Sequence, residues 1–452
     1  MSNHLPSKLR RHPFILGTLL LTGTGLISRI IGFFYRIYLA RVFGEEGMGI
    51  YQLITPVLAL TFSLCIGSYQ TAISKYVAKE SSQSNVHSYL PLFCGLKISL
   101  TLSMICSLLL TCFAPFIGTI LLSEPRTIPM LRLLSWSLPF SSFHSCINGY
   151  FFGLQKTAVP ALSQILEQCA RVGCVFITSA ILLESGRIPS IAVAILGLTF
   201  GEMVAMTYSV ILFFQTLKPY RPLPALPNPY FHPVLKMAIP MTANQITLSL
   251  MQSLEAASIP SRLRLYGMSS KEALSTYGVL TGMAMPFIFF PNALTGAVAL
   301  LLLPRISKDQ AMGKEYEMKE TIRRTITACL LMGFGAMIFF ALFGRAAGTI
   351  LFHSALAGQY ITTLAFICPF LYLNMTLGSI LNSLGLVGRM FLYHLISLSL
   401  RLGFVFFGIP RLGIPGFFYG FLAGQVVLCA LCVNSLWYYF RTRNSLKREK
   451  EY

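Results

Sequence analysis

Two arginines seven residues apart, Arg29 and Arg36, are the residues of this sequence best suited to bind a ligand. Seven residues are close to two turns of an α-helix, so both side chains emerge on nearly one face. The rest of that face is small or polar: Thr18, Thr22, Gly25 and Gly32. A guanidinium group can bind two phosphate oxygens at once. The spacing therefore predicts a site for an anionic, phosphate-bearing ligand.

The arginine pair lies in an apolar stretch long enough to cross a membrane. An arginine near the bilayer centre costs about 2.5–3.5 kcal/mol on insertion scales. Two arginines on one face therefore predict that this face meets water or an anionic partner rather than lipid. The alternative is that Arg36 reaches outward to the membrane surface while Arg29 pairs with an acidic residue.

Three acidic residues lie inside predicted spans, Glu167, Glu202 and Glu255. Glu167 and Arg171 are four residues apart in the favourable order, which predicts a structural ion pair, with closure of the molecule or substrate contact as the alternative. Glu255 is a candidate for binding a coupling cation or proton, or for pairing with a first-span arginine. Glu202 is interpreted as a helix–helix contact.

Signals of enzymatic chemistry are weak. The seven histidines show no metal-ligand spacing, no GxxxxGK[ST] phosphate loop is present, and Asp309 is the sole aspartate. We expect no catalytic residues, no metal site, no cofactor and no enzyme activity, and an ATP-driven pump is disfavoured.

The composition identifies the elements that position these residues. Of 452 residues, 55% are hydrophobic and 11% charged, whereas an ordinary soluble domain has roughly 25% charged residues. This excludes a soluble globular protein. Twelve apolar stretches are long enough to span a bilayer, and they are centred near residues 28, 61, 102, 141, 171, 203, 246, 288, 335, 370, 399 and 426. The predicted class is an all-α polytopic membrane protein.

The formal net charge of +20 follows the predicted topology. Of 35 lysines and arginines, 21 fall on the side of the N-terminus, nine on the opposite side and five within spans. The positive-inside rule then predicts a protein of the cytoplasmic membrane with both termini cytoplasmic. We attribute the excess charge to topology and to anionic lipids, and expect no nucleic-acid partner.

The two halves of the chain resemble each other. Arg41-Val-Phe-Gly44 after span 1 matches Arg264-Leu-Tyr-Gly267 after span 7, and the stretch that begins at Arg171 matches the one that begins at Arg401. Repeats six spans apart run in the same direction across the membrane. They predict two six-helix lobes, residues 1–222 and 223–452, around a central cavity, the geometry of an alternating-access transporter.

Several longer segments resemble a known family. They are Ser28–Gly44, Gly47–Gln52, Ala72–Glu80, Pro160–Val172, Tyr277–Pro286 and Leu303–Lys308. Together they resemble the stage V sporulation protein B and polysaccharide-exporter family of the multidrug/oligosaccharidyl-lipid/polysaccharide exporter superfamily. Related members flip undecaprenyl-diphosphate-linked sugars, including the peptidoglycan precursor lipid II, across the cytoplasmic membrane.

The resemblance implies that first-helix arginines meet the diphosphate of a lipid-linked oligosaccharide. By position in the motif this role falls on Arg29, with Arg36 and Arg41 next. Two departures weaken the transfer. The sequence offers no further C-terminal helices to hold the lipid tail, and span 7 carries Glu255 where close relatives are expected to carry aspartate.

The resulting expectation is a flippase for a peptidoglycan or polysaccharide precursor. Two alternatives stay open: a cation-coupled multidrug exporter of the same superfamily, and a non-transporting membrane scaffold of envelope or spore-cortex synthesis that contacts other cell-wall synthesis proteins. Basic residues outnumber acidic ones within spans by five to three, which favours an anionic cargo. The sequence does not choose between the membrane potential and an ion gradient as the energy source.

Overall fold

A computed structural model describes residues 13–82, 89–216 and 229–448, and every regular element within them is helical. Residues 1–12 and 449–452, on which the predicted orientation of the termini depends, lie outside the described residues, as does the predicted lobe boundary at 222/223. The α-helices are α1 Pro13–Cys65, α2 Gly67–Ser82, α3 Leu90–Phe116, α4 Ile128–Gly153, α5 Ala158–Glu184, α6 Ala192–Thr216, α7 Phe231–Leu265, α8 Ser270–Gly278, α9 Met285–Phe289, α10 Asn292–Ala311, α11 Glu315–Phe352, α12 Ala355–Leu364, α13 Cys368–Ser383, α14 Val387–Gly403, α15 Ile409–Leu412 and α16 Ile414–Arg448.

All twelve predicted span centres fall within these helices. By length and composition alone, eight segments of the described residues qualify as membrane spans, and the first, Leu20–Ser82, is 63 residues long and contains two of the predicted spans. The helices at the other predicted centres, α4, α7 and α9, are not among these eight segments. In α4 the polarity is internal, since its serines, His144 and Asn148 are mostly buried.

Helix α1 contains a sharp corner at Gly44, where φ is 69° and ψ is −175°. Only glycine adopts this conformation without strain. The corner divides α1 into stretches 13–43 and 45–65, which correspond to the first two predicted spans. Gly267, the residue that the internal repeat aligns with Gly44, also has a positive φ, of 111°. The repeat in the sequence is thus matched by a repeated backbone feature.

The chain divides into two compact units, Met1–Ser253 and Leu254–Tyr452. In the first unit, α4 is the central helix and packs on α2, α3 and α6. Its core is a cluster of buried side chains from α2, α3, α4 and α6: Ile73, Val77, Leu92, Cys146, Ile147, Tyr150, Phe151 and Phe213.

The first unit also includes most of α7. The hydroxyl groups of Ser63 and Ser249 lie 2.7 Å apart, and the Ser253 hydroxyl donates to the Pro56 carbonyl at 3.1 Å. At the start of α7, the Tyr230 hydroxyl donates to Glu80. Burial, with the hydrogen bond and charge of Glu80, raises the pKa of Tyr230 to about 12, so its hydroxyl remains a donor at neutral pH.

The second unit has two buried clusters that share α13 and α16. One, with Ile306, Met318 and Ile380 at its centre, joins α10 and α11 to α13. The other, with Leu377, Leu381 and Cys432, joins α13 to α16. The predicted division at 222/223 stays a prediction. The two compact units divide after Ser253, within α7, so most of this helix groups with the preceding helices.

The Gly44 corner leads to a test of backbone strain. A Cβ at Gly44 would meet no atom within 4 Å, so Gly44→Ala should destabilise through its φ alone, by about 1–3 kcal/mol. Thermal unfolding of the purified protein in detergent measures the loss.

Gly23→Ala is the matched control, because a Cβ there also meets open space but the backbone is helical. It should raise stability by up to about 1 kcal/mol. Equal melting temperatures for the two variants would contradict the assignment of strain to Gly44.

Candidate functional site

The first-helix arginines lie on an open face of α1. Arg29 and Arg41 are exposed and Arg36 is half-buried. A Cβ at Gly25 or Gly32, which share the face with Arg29, would meet no atom within 4 Å. The side chain of Thr18, which was predicted to share this face, lies outside the described residues. Space is therefore available beside Arg29 for a ligand.

The open face lies between two other faces of the same helix. Ser28, Tyr35 and Leu39 are buried and form the face toward the body of the unit, where α1 packs chiefly on α5. Ile27 and Phe34 are 48% and 63% exposed and form an apolar face. At 100° per residue, Arg29 is offset from both faces. The arginines thus border the apolar surface without standing at its centre.

Neither Arg29 nor Arg36 has an acidic partner. Among the described residues, no carboxylate lies within ion-pair distance of either guanidinium. Arg36 instead lies beside Tyr35 and Tyr51. The alternative in which Arg29 pairs with an acidic residue is therefore not what the structure contains.

Two other arginines of the predicted spans, Arg171 and Arg401, are paired with glutamates of their own units. Glu167 binds Arg171 one turn further along α5, as the sequence spacing predicts. In the second unit, Glu255 binds Arg401, with its Oε1 2.7 Å from Nη2 and 3.0 Å from Nε. The Arg401 guanidinium also lies 4.6 Å from the ring centroid of Phe421.

The sequence left the partner of Glu255 open, and the structure provides Arg401 rather than a first-span arginine. Removing one member of a buried pair leaves the other charge uncompensated, which costs about 3–5 kcal/mol. The pair therefore leaves little freedom for either residue to change alone.

A cluster that sequence spacing missed surrounds the first pair. His144 of α4, Glu167 of α5 and Glu202 of α6 each place a ligand atom within 4.8 Å of the others. His144 Nδ1 lies 3.5 Å from a carboxylate oxygen of Glu202. Glu202 is a helix–helix contact, as interpreted from the sequence, but its partner is a histidine.

Hydroxyl and amide groups complete this cluster. Asn148 Nδ2 lies 2.8 Å and Ser163 Oγ 2.6 Å from His144 Nε2. Ser209 Oγ is 3.2 Å from Ser163 Oγ. No motif scan finds these residues because they come from three helices. A signal was present in the repeated polar positions of α4, since His144 and Asn148 lie one turn apart on a buried face.

The fold defines a class, a polytopic membrane protein with the fold of the MOP superfamily. An inward-facing multidrug resistance MATE family transporter of that superfamily superposes with a TM-score of 0.72 at 14% identity, covering 93% of this chain and 96% of that chain. The lipid II flippase MurJ, in an inward closed conformation, gives a TM-score of 0.73 at 14% identity, covering 92% and 87%.

Sequence comparison identifies the family. Residues 14–310 match the model of the polysaccharide biosynthesis protein family, and the chain belongs to that family. Stage V sporulation protein B of Bacillus subtilis (strain 168) is 28% identical over 431 residues, covering 94% of this chain and 83% of the relative. The resemblance inferred from the sequence segments is confirmed.

The Glu255–Arg401 pair predicts a rescue. Glu255→Gln and Arg401→Gln should each lower the apparent melting temperature, since each leaves one buried charge unpaired. The double variant should recover most of the loss, because two amides can hydrogen-bond without net charge. Thermal unfolding of the purified wild type, the two single variants and the double variant measures these effects. A double variant that loses the sum of the two single effects would contradict the pairing.

Proposed function

We propose that this protein is a flippase that moves an undecaprenyl-diphosphate-linked saccharide, a peptidoglycan or polysaccharide precursor, across the cytoplasmic membrane by alternating access. One observation carries the proposal: two arginines that pair with no carboxylate of the described residues lie on an open face of a membrane helix. Membership of the polysaccharide biosynthesis protein family and the fold shared with the lipid II flippase MurJ support it.

The chemistry of the open face favours an anionic head group. A diphosphate presents several oxygens, which suit the paired donors of guanidinium groups. The five basic residues of the predicted spans include Arg171 and Arg401, whose charges are offset by glutamates. Among the described residues, no carboxylate forms an ion pair with Arg29, Arg36 or Lys97. Arg29 is the proposed first contact of the diphosphate, with Arg36 and Arg41 further along the helix.

The proposed setting follows from the same argument. The cargo is a lipid-linked oligosaccharide, the membrane is the cytoplasmic one with both chain termini on the cytoplasmic side, and anionic lipids contact the basic loops. Cell-wall synthesis proteins are proposed partners. Glu167, Arg171 and Glu255 are proposed to act in coupling or gating, and not in contact with the cargo.

Reconstitution tests the proposal directly. Proteoliposomes carry a fluorescent undecaprenyl-diphosphate-linked sugar, and a membrane-impermeant reductant reports how fast labelled head groups reach the outer leaflet. Arg29→Ala should slow flipping about 10–100-fold, since a charged hydrogen bond contributes about 1.5–3 kcal/mol. The flipping rate of Arg29→Lys should lie between those of the wild type and Arg29→Ala, because lysine keeps the charge and loses the two-donor geometry.

Arg187→Ala is the matched control, since Arg187 is an exposed arginine in the turn between α5 and α6. It should flip at the wild-type rate. Equal rates for wild type and both Arg29 variants would refute the arginine mechanism. Export of cationic dyes without lipid flipping would support the multidrug exporter, and neither activity would support the scaffold.

A further inference from the structure

We propose that the first unit binds a proton in the cluster of His144, Glu167 and Glu202, shared chiefly between His144 and Glu202. The cluster joins α4, α5 and α6, with His144 and Glu202 buried and Glu167 half-buried. Proton binding stands on the geometry alone. Its use as the coupling ion of transport rests on the proposed function.

Charge counting is the first argument. Glu167 and Glu202 carry two negative charges, and Arg171 supplies one positive charge, bound to Glu167. A neutral His144 leaves the cluster with one surplus negative charge. His144 and Glu202 are each 6% exposed, and a buried charge without compensation is strongly disfavoured in a membrane protein. A single added proton makes the cluster neutral.

The corresponding site of the second unit is already neutral. Gly201 packs on α5 against Glu167 and Arg171, and Gly424 packs on α14 against Ser397 and Arg401. Ser397 thus occupies the position in the second unit that corresponds to Glu167 in the first. Gln425, which follows Gly424, corresponds to Glu202, which follows Gly201.

Gln425 accepts a hydrogen bond from the Asn374 amide at 2.7 Å. Arg401 is balanced by Glu255 of α7. At this site the second repeat therefore keeps the glycine packing and the arginine, but the site has no surplus carboxylate and no histidine. The extra charge belongs to the first unit alone.

An unpartnered atom is the second, independent observation. Asn148 is 8% exposed, its Nδ2 reaches His144 Nε2, and its Oδ1 is buried with no hydrogen-bond partner. With neutral His144 protonated at Nδ1, the single lone pair of Nε2 accepts a hydrogen bond from Asn148 or from Ser163, while Nδ1–H faces Glu202. When Nε2 is protonated, rotation of the amide presents Oδ1 as its acceptor. The site thus has a hydrogen-bond partner for either state of the ring.

The same geometry disfavours a metal ion. His144 Nε2 lies within hydrogen-bond distance of Asn148 and Ser163, so a metal ion on this nitrogen would have to displace both groups, whereas a proton only reverses the direction of hydrogen bonding. A divalent ion would also change the net charge of the cluster from minus one to plus one, beside the Arg171 guanidinium. A proton needs only one acceptor and leaves the cluster neutral.

Among the described residues, the charged and titratable groups that act on Glu167 and Arg171 from outside the cluster lie on α1. Arg171 faces the hydroxyl groups of Tyr35 and Tyr51 on α1. The Tyr35 hydroxyl is buried without a hydrogen-bond partner and lies near both Arg171 and Arg36. The proton site and the arginine face are therefore neighbours, and loss of the proton would increase the negative potential felt by Arg36.

Thermal unfolding against pH tests the site without any lipid cargo. Between about pH 5 and 8, the melting temperature of the wild type should fall by several degrees as pH rises, because the proton leaves and the buried negative charge remains. Glu202→Gln removes the surplus charge. Its melting temperature should lose this pH dependence and exceed that of the wild type at the alkaline end.

Glu255→Gln is the matched control from the balanced site. It should melt lower than the wild type at every pH with the same pH dependence. If Glu202→Gln also melts lower at every pH with wild-type dependence, Glu202 has a packing role and the proposal is wrong. If Na⁺ in place of K⁺, or added Zn²⁺, raises the melting temperature of the wild type at alkaline pH but not that of Glu202→Gln, the cluster binds a metal ion instead of a proton.

Infrared spectroscopy provides a readout that survives a folding defect in Glu202→Gln. The wild type should show a protonated carboxyl band at the acidic end that disappears as pH rises. His144→Gln keeps a hydrogen-bonding side chain but cannot share the proton, and should move the midpoint of that change. An unchanged midpoint, or no titrating band in the wild type, would overturn the proposal. Because no cargo is present, these outcomes are independent of the flipping assay.

Discussion

The high cost of charge at membrane depth governs how this molecule is built. Arg171 and Arg401 each occupy equivalent places in the two repeats, and each is matched by a glutamate. The glutamate comes from the same helix in one unit and from α7 in the other. Where no carboxylate is supplied, as at Arg29, the side chain stands beside open space. Charge is thus either balanced inside a unit or kept at a surface.

The helical architecture could be predicted from the sequence because hydropathy and length decide it. All twelve predicted centres fall in helices, and the Glu167–Arg171 pair follows from spacing on one helix. The bounds of the helices and of the two units were less predictable. A single glycine breaks α1, and most of α7 groups with the helices before it. Such grouping depends on packing between helices distant in sequence.

The site was only partly predictable for the same reason. The face of Arg29 and Arg36 is a local property of one helix, so periodicity finds it. The partner of Glu255 lies 146 residues away on α14, and the His144 cluster draws on three helices. No spacing rule reports such contacts, although the buried polar positions of α4 pointed to a hydrogen-bonded interior.

The corner at Gly44 fixes more than the direction of the chain. Arg36 lies eight positions before it, so the rotation of the arginine face relative to the second crossing depends on that spacing. Inserting or deleting one residue in the interval would turn the guanidiniums by about 100° around the helix axis. Relatives that keep this corner and this face should therefore vary in residue type across the interval while keeping its length.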